Sequence, residues 1–289
     1  MLIDSHHHLW DLFRVEYPWL MEKGSIRFFG DPSPIQRDYL LAEHISHLKP
    51  FKFSGSVHVQ VGAAHPLKEA EWIDQIADTA SDWKMVQVAF CDLSAPDLKQ
   101  NLLKLSKFKS LRGVRQIIGR AENEDAKTGT NQLVHNPKFL DGLKYISDLG
   151  LSFDLQITPF LYEQMAEVLY KVPDLEVAIC HCGSPQQQSK KYIQKWAKKF
   201  SVLSERQNTH CKISGLGMFD KNWSIDSIKP IVKHCIDQFG PKRLMFGSNF
   251  PVDSLYSDFS TLYLAMSKII PERHHTKIFS TNCRHFYKM

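Results

Sequence analysis

The sequence predicts an α/β fold, a single (β/α)8 TIM barrel over residues 1–289, and three observations carry that prediction. Eight short apolar runs are each followed by a stretch of helical pattern, and this alternation gives a parallel sheet with helical crossovers. Eight is the number of strands that closes such a barrel. The length of 289 residues suits one barrel domain with elaborated loops.

The elements follow in order. The first strand is "LID" at Leu2. The stretch from Leu9 to Pro50 contains Pro18, Gly24, Gly30, Pro32 and Pro34, too long and too interrupted for a simple turn, and is expected to be a loop over the barrel mouth. Strand two is "SVHVQV" from Ser56, followed by "PLKEAEWIDQIADTA" with Ala70, Ile73, Ile76 and Ala77 at helical spacing. Strand three is "MVQVAF" from Met85 and strand four is "LRGVRQII" from Leu111. The polar "GRAENEDAKTGTNQLVHN" after strand four is expected to be a mobile flap. The next helix begins at Pro137 and stops at Gly150, the usual punctuation of a helix. Strands five to eight are "LSFDLQI" from Leu151, "EVAICH" from Glu176, "HCKIS" from His210 and "RLMFGS" from Arg243.

Composition narrows the function class. Hydrophobic residues at 43% and charged residues at 23% are ordinary globular usage, which sets aside disorder, collagen and coiled coil. A net charge of +5 with interspersed acids is too mild for a nucleic-acid binder. The densest basic stretch, "SKKYIQKWAKKF", places Tyr192 and Trp196 on one face and reads as a solvated helix. No apolar run approaches the roughly 20 residues that span a bilayer, so no membrane partner is expected. Six cysteines without CxxC spacing, and a beginning without a signal-peptide pattern, point to the cytoplasm. The sequence leaves the oligomeric state open.

The chemistry of such a barrel sits at the C-terminal ends of its strands. There the sequence places His6 and His8, His58 and Gln60, Arg115, Asp154 and Gln156, His181, Ser214, and Ser248 with Asn249. Alternate residues of a strand share a side, so His6 and His8 face the pocket and His7 faces away. That spacing can chelate a metal, or offer two imidazoles to a substrate carbonyl. Arg115 is available to a carboxylate or a polarised oxygen, unless it pairs with Asp154. Trp10, Tyr17, Trp19 and Phe250 are candidates to wall a ring-shaped substrate. Cys180 and Cys182 flank His181 and are expected to pack outward as small hydrophobes.

"IDSHHHLW", "YPWL", "RGVRQI", "FDLQI", "ICHCGSP", "CKISGL" and "RLMFGSNFPVD" occur in the order seen in the amidohydrolase superfamily. The chain most resembles its sugar-lactonase branch, which includes L-fuconolactonase, L-rhamnonolactonase and 2-pyrone-4,6-dicarboxylate lactonase. The resemblance implies a barrel that hydrolyses a small lactone of a sugar acid or a related carboxylic ester. It maps the superfamily's strand-one HxH onto His6 and His8 and its strand-six histidine onto His181. The strand-eight aspartate is replaced by Asn249, and Gln156 ends strand five where a metal-binding histidine often stands.

An amide cannot take a proton from water as an aspartate can. The expected catalytic set is therefore His6, His8 and Arg115 on the carbonyl, Asn249 on the water, and His181 or Asp253 as base. Asp4 is expected to orient an imidazole from below, and Asp253 has the alternative of capping a following helix. Trp10, Gln60, Gln156 and Ser248 are the expected substrate contacts. No cofactor is required in this reading, and a weakly held divalent metal such as zinc would fall to His6, His8 and His181. Two alternatives are a metal-dependent decarboxylase of the same superfamily and a barrel that only binds a sugar acid.

Overall fold

The computed structural model describes residues 1–120 and 122–289, with the side chains of residues 122–124 outside the description. Part of the flap expected after strand four thus lies outside the described residues. The strands are β1 (Leu2–His7), β2 (Phe53–Val59), β3 (Lys84–Phe90), β4 (Leu111–Ile118), β5 (Ser152–Ile157), β6 (Val177–Ile179), β7 (Thr209–Ile213) and β8 (Leu244–Phe246). They pair in parallel in sequence order. The ring is drawn together past the end of β8, where Asn249 N donates to His6 O at 2.7 Å and His8 N donates to Phe250 O at 2.8 Å. Eight parallel strands with surrounding helices form the expected (β/α)8 barrel.

Two cores follow from the alternation of side chains. Ile3, Val57, Val59, Val86, Val88, Ala178 and Met245 fill the lower barrel against Cys283, Phe286 and Tyr287, so the helix Asn282–Phe286 and the residue after it close the floor. The second core lies between strands and helices and includes Phe53, Ile73, Phe139, Leu155, Trp196, Phe200 and Phe246. Above the floor, Lys212 of β7 crosses the barrel to Asp154 of β5 at 2.5 Å and also donates to Ser5 O at 2.8 Å. Tyr287 OH donates to the same carboxylate at 2.8 Å. Both charged groups are fully buried, and a pair in such surroundings persists only with its remaining bonds satisfied.

The Leu9–Pro50 stretch is more ordered than a loop. It contains the short helix Pro18–Met21 and a full helix, Leu41–Leu48. The inward face of the longer helix is Leu41, His44, Ile45 and Leu48, and the polar type at His44 hides its period in the sequence.

Candidate active site

Strand β1 does not alternate strictly. Its pairing with β2 shifts register between Asp4 and His7, so Ile3 packs in the inner core and His6 also turns inward, against the face of Gly247. A Cβ at Gly247 would lie 2.6 Å from that of His6, which only glycine avoids. His7 points outward and stacks on His44 with ring centroids 4.0 Å apart, and His58 joins the same outer group, 5.9 Å from His7. Asp4 is also outside the barrel wall. Its carboxylate accepts from Ser248 N at 2.8 Å, Ser248 Oγ at 2.6 Å and the backbone N of His6 at 3.1 Å. Asp4 therefore orients the backbone at the β1–β8 junction, and its nearest imidazole is that of His44, at 3.4 Å.

The strand ends open into one cavity of about 730 Å³. His8, Gln60, Arg115, Gln156, His181 and Asn249 line it. His6 lies just beneath, its ring 5.1 Å from that of His8 and 4.5 Å from that of His181, and neither of its ring nitrogens has a hydrogen-bond partner. Imidazoles from the beginning and middle of the chain thus meet the carboxamide near its end. Trp19, Phe28, Phe29, Met218 and Val252 supply apolar wall. Arg27, Arg115, Arg120 and Lys127 face a single lining carboxylate, Asp92, among the described residues.

Four expected substrate or wall contacts are placed elsewhere. Trp10 is fully buried, its indole N–H given to Arg37 O at 2.6 Å. Ser248 is turned into the wall by Asp4. Of the aromatic set only Trp19 reaches the cavity, because Tyr17 is buried beside Glu69 and Phe250 packs on Phe259. Phe28 and Phe29, from the long first loop, take their place.

Arg115 does not pair with Asp154, whose charge is met by Lys212. Its guanidinium donates to Gln60 O at 2.8 Å and to Gln156 Oε1, both neutral oxygens. Only 6% of it is exposed. A guanidinium buried on neutral acceptors is an uncompensated cation, and an anion entering the cavity removes that cost.

Burial favours the neutral form of the three imidazoles. Burial, then the charges of Lys212 and neighbouring groups, hold His6 well below the usual histidine range. Burial does the same for His181, helped by Arg115, and brings His8 down to about 3. His8 Nδ1 lies 2.7 Å from Val59 O, which can only accept, so Nδ1 carries the proton and Nε2 presents a lone pair. His8 is thus an acceptor toward the cavity, not the carbonyl-polarising donor expected from the sequence.

Strand β6 ends at Ile179, and His181, Cys182, Gly183 and Ser184 all have positive φ, between 50° and 68°. This left-handed segment swings His181 over the barrel mouth, where its Nδ1 lies 3.0 Å from Ser214 Oγ and Nε2 is left for a ligand. A Cβ at Gly215 would sit 2.3 Å from His181 Nδ1, so a side chain there would displace the ring. The expected parity of the cysteines fails: Cys180 is still extended and follows Ala178 inward, beside His6 and Asp154, while the kink brings His181 to the same side and only Cys182 packs outward.

Asn249 also adopts a left-handed φ, 57°, which asparagine tolerates. Its Nδ2 donates to Asp253 Oδ1 at 3.0 Å and its Oδ1 lies 3.3 Å from His8 Nε2. Burial raises Asp253 to about 7. Asp253 lies behind Asn249, outside the cavity lining, and caps no helix. The helix Phe259–Ile269 is capped instead by Asp258, which accepts from Thr261 N at 2.7 Å.

Among the described residues, ligand atoms of three groups lie within 4.8 Å of one another in two places, Cys182–Cys211–Cys235 and His6–Asp154–Cys180. The His6–His8–His181 set expected for a metal is not one of them, although the Nδ1 contacts of His8 and His181 with the wall leave each Nε2 free. His6–Asp154–Cys180 offers an unpartnered imidazole. However, its carboxylate is already bonded to Lys212 and Tyr287, and burial pushes its thiol up to about 11. The donors fit a firmly held divalent ion poorly. Lys212 is the residue the sequence reading does not single out, and a lysine inside the apolar "HCKIS" is its signal.

The chain is 33% identical to the uncharacterised protein y4mH of Sinorhizobium fredii, over all of this chain and 98% of that one. It is 24% identical to L-fucono-1,5-lactonase of Burkholderia ambifaria, over 99% of this chain and 95% of the relative. An amidohydrolase of Burkholderia multivorans solved with bound zinc superposes with a TM-score of 0.83 at 20% identity, covering 100% of this chain and 99% of that one. The amidohydrolase family model matches residues 3–289, and the chain belongs to that family.

Proposed function

We propose that the chain is a cytoplasmic hydrolase opening a small lactone of a sugar acid or a related carboxylic ester. The observation that carries this reading is the buried Arg115 guanidinium, bonded only to neutral oxygens, in one cavity with two neutral imidazoles. Hydrolysis of a lactone produces first an oxyanion and then a carboxylate, a charge that Arg115 can meet directly.

The proposed step begins with Arg115 donating to the lactone carbonyl oxygen. A water oxygen bonds to the carbonyl carbon while its proton passes to Nε2 of His181, and the C=O pair becomes an oxyanion held by Arg115. When the oxyanion re-forms the carbonyl, the ring C–O bond breaks and the leaving oxygen takes the proton from His181. Gln156 and Gln60 O hold the guanidinium in place. With Asp253 ionised, Asn249 Nδ2 donates to it and Oδ1 faces the His8 Nε2 lone pair without a hydrogen bond; with Asp253 protonated, the turned amide accepts from Asp253 and donates to His8 Nε2, joining the two.

A divalent ion would take His6, Cys180 and Asp154 and would act as a Lewis acid. Their poor fit leaves it no step in this scheme. Their grouping is the one observation favouring the alternative, a metal-dependent decarboxylase, and elemental analysis separates the two: about one tightly held zinc per chain supports the alternative. The lactonase reading is tested by offering the purified protein a panel of aldonolactones with a pH indicator. Ring opening above the uncatalysed rate is expected, and its absence across the panel overturns the reading.

A further inference from the structure

Cys182, Cys211 and Cys235 meet behind the barrel wall, away from the cavity. They come from three elements: the left-handed segment after β6, strand β7, and the helix Ile225–Phe239. All three are fully buried, and their Sγ atoms lie within 4.8 Å of one another. Cys182 and Cys211 both direct Sγ at Lys212 O, at 3.7 and 3.8 Å, so the thiols converge on one point. A trivalent thiophilic centre is pyramidal, and with bonds near the roughly 2.3 Å of a zinc thiolate it draws three sulfurs to about 3.5 Å of one another, a contraction from a present spacing of up to 4.8 Å.

Charge selects the ligand. The cluster lies in the apolar outer core, with the imidazole of His234 as the titratable group that acts on Cys182, and a net charge there is costly. Three thiolates on a divalent ion carry a net negative charge, whereas three on a trivalent arsenic carry none. We infer that Cys182, Cys211 and Cys235 form a binding site for a trivalent thiophilic species of the arsenite class. Arsenous acid reaches it uncharged. Three S–H and three As–O bonds break, three As–S bonds form, three waters leave, and arsenic stays trivalent. Because His181 immediately precedes Cys182, occupancy also lowers the hydrolytic rate; that consequence rests on the lactonase reading, and the binding does not.

The test is incubation of the full chain with sodium arsenite without air or added thiol, under conditions where these thiols exchange, followed by gel filtration and intact-mass measurement. The expected product carries one arsenic in place of three thiol hydrogens. Cys235→Ala, checked for an unchanged fold by circular dichroism, loses affinity by about 10²-fold or more, as expected when a chelating arm is removed. Cys91→Ala, remote from the cluster, keeps it. A wild-type chain without arsenic, an adduct replacing only two hydrogens, or equal retention by Cys235→Ala overturns the inference.

Discussion

At the scale of single residues, the burden falls on His181 and Asn249. His181→Asn keeps a polar side chain of similar reach but cannot take a proton. Lactone opening should fall by about 10² to 10⁴ in kcat with KM little changed, measured by steady-state kinetics; an unchanged kcat would move the base to His8, whose Nε2 also bears a lone pair. Asn249→Asp places a second carboxylate against Asp253, 3.0 Å from the present amide nitrogen. Two carboxyls at that distance cannot both ionise, so the variant should lose activity, with its pH profile moved upward. A large gain would instead mark the present barrel as a decayed enzyme that binds a sugar acid. Gly215→Ala tests positioning alone: the added methyl collides with the His181 ring in a backbone of φ 66°, and kcat should drop while the cavity and its ligand affinity persist.

At the scale of elements, the cross-barrel tie between β5 and β7 sets how firmly the floor of the site is held. Lys212→Met leaves Asp154 buried with only the Tyr287 hydroxyl, and should cost roughly 3–5 kcal/mol, read as a lower denaturant midpoint. Lys212→Met combined with Asp154→Leu should recover much of it, since a hydrophobic pair replaces an ion pair with little loss; a double variant as unstable as the single would deny that the charges are coupled. This tie also marks where the sequence stops being readable. All eight strands are legible because each apolar run is bounded by polar or Gly/Pro residues, and His8, Gln60, Arg115, Gln156, His181 and Asn249 stand at strand ends. The direction of a side chain is legible only while alternation holds. A register shift in β1 puts Asp4 outside and His6 inside, and the left-handed turn after β6 brings His181 to the same side as Cys180, toward the barrel axis. Phe28 and Phe29 line the cavity through the tertiary path of a long loop, which no local period records.

At the scale of the whole molecule, the buried titratable groups set how stability depends on pH. His6, His7, His8, His44 and His181 are all shifted down from 6.5, chiefly by burial, with His8 and His44 brought to about 3. Each imidazole binds a proton more readily in the unfolded chain. Its contribution is complete above about 6.5 and is lost as pH falls toward the folded value. Asp4, raised to about 6, and Asp253, raised to about 7, act in the opposite sense. Their contribution is complete below 3.8, the ordinary aspartate value, and is lost as pH rises through 6 to 7. Between about pH 4 and 6.5 the five imidazoles outnumber the two carboxyls, so the unfolded chain takes up protons and the fold weakens on acidification. Urea unfolding at pH 5 should therefore show a lower midpoint than at pH 7.5, at unchanged slope against denaturant. His44→Leu removes one such proton from the unfolded side and should flatten the dependence. A midpoint that stays level or rises on acidification would mean that Asp4 and Asp253, not the histidine cluster, dominate the proton balance of this barrel.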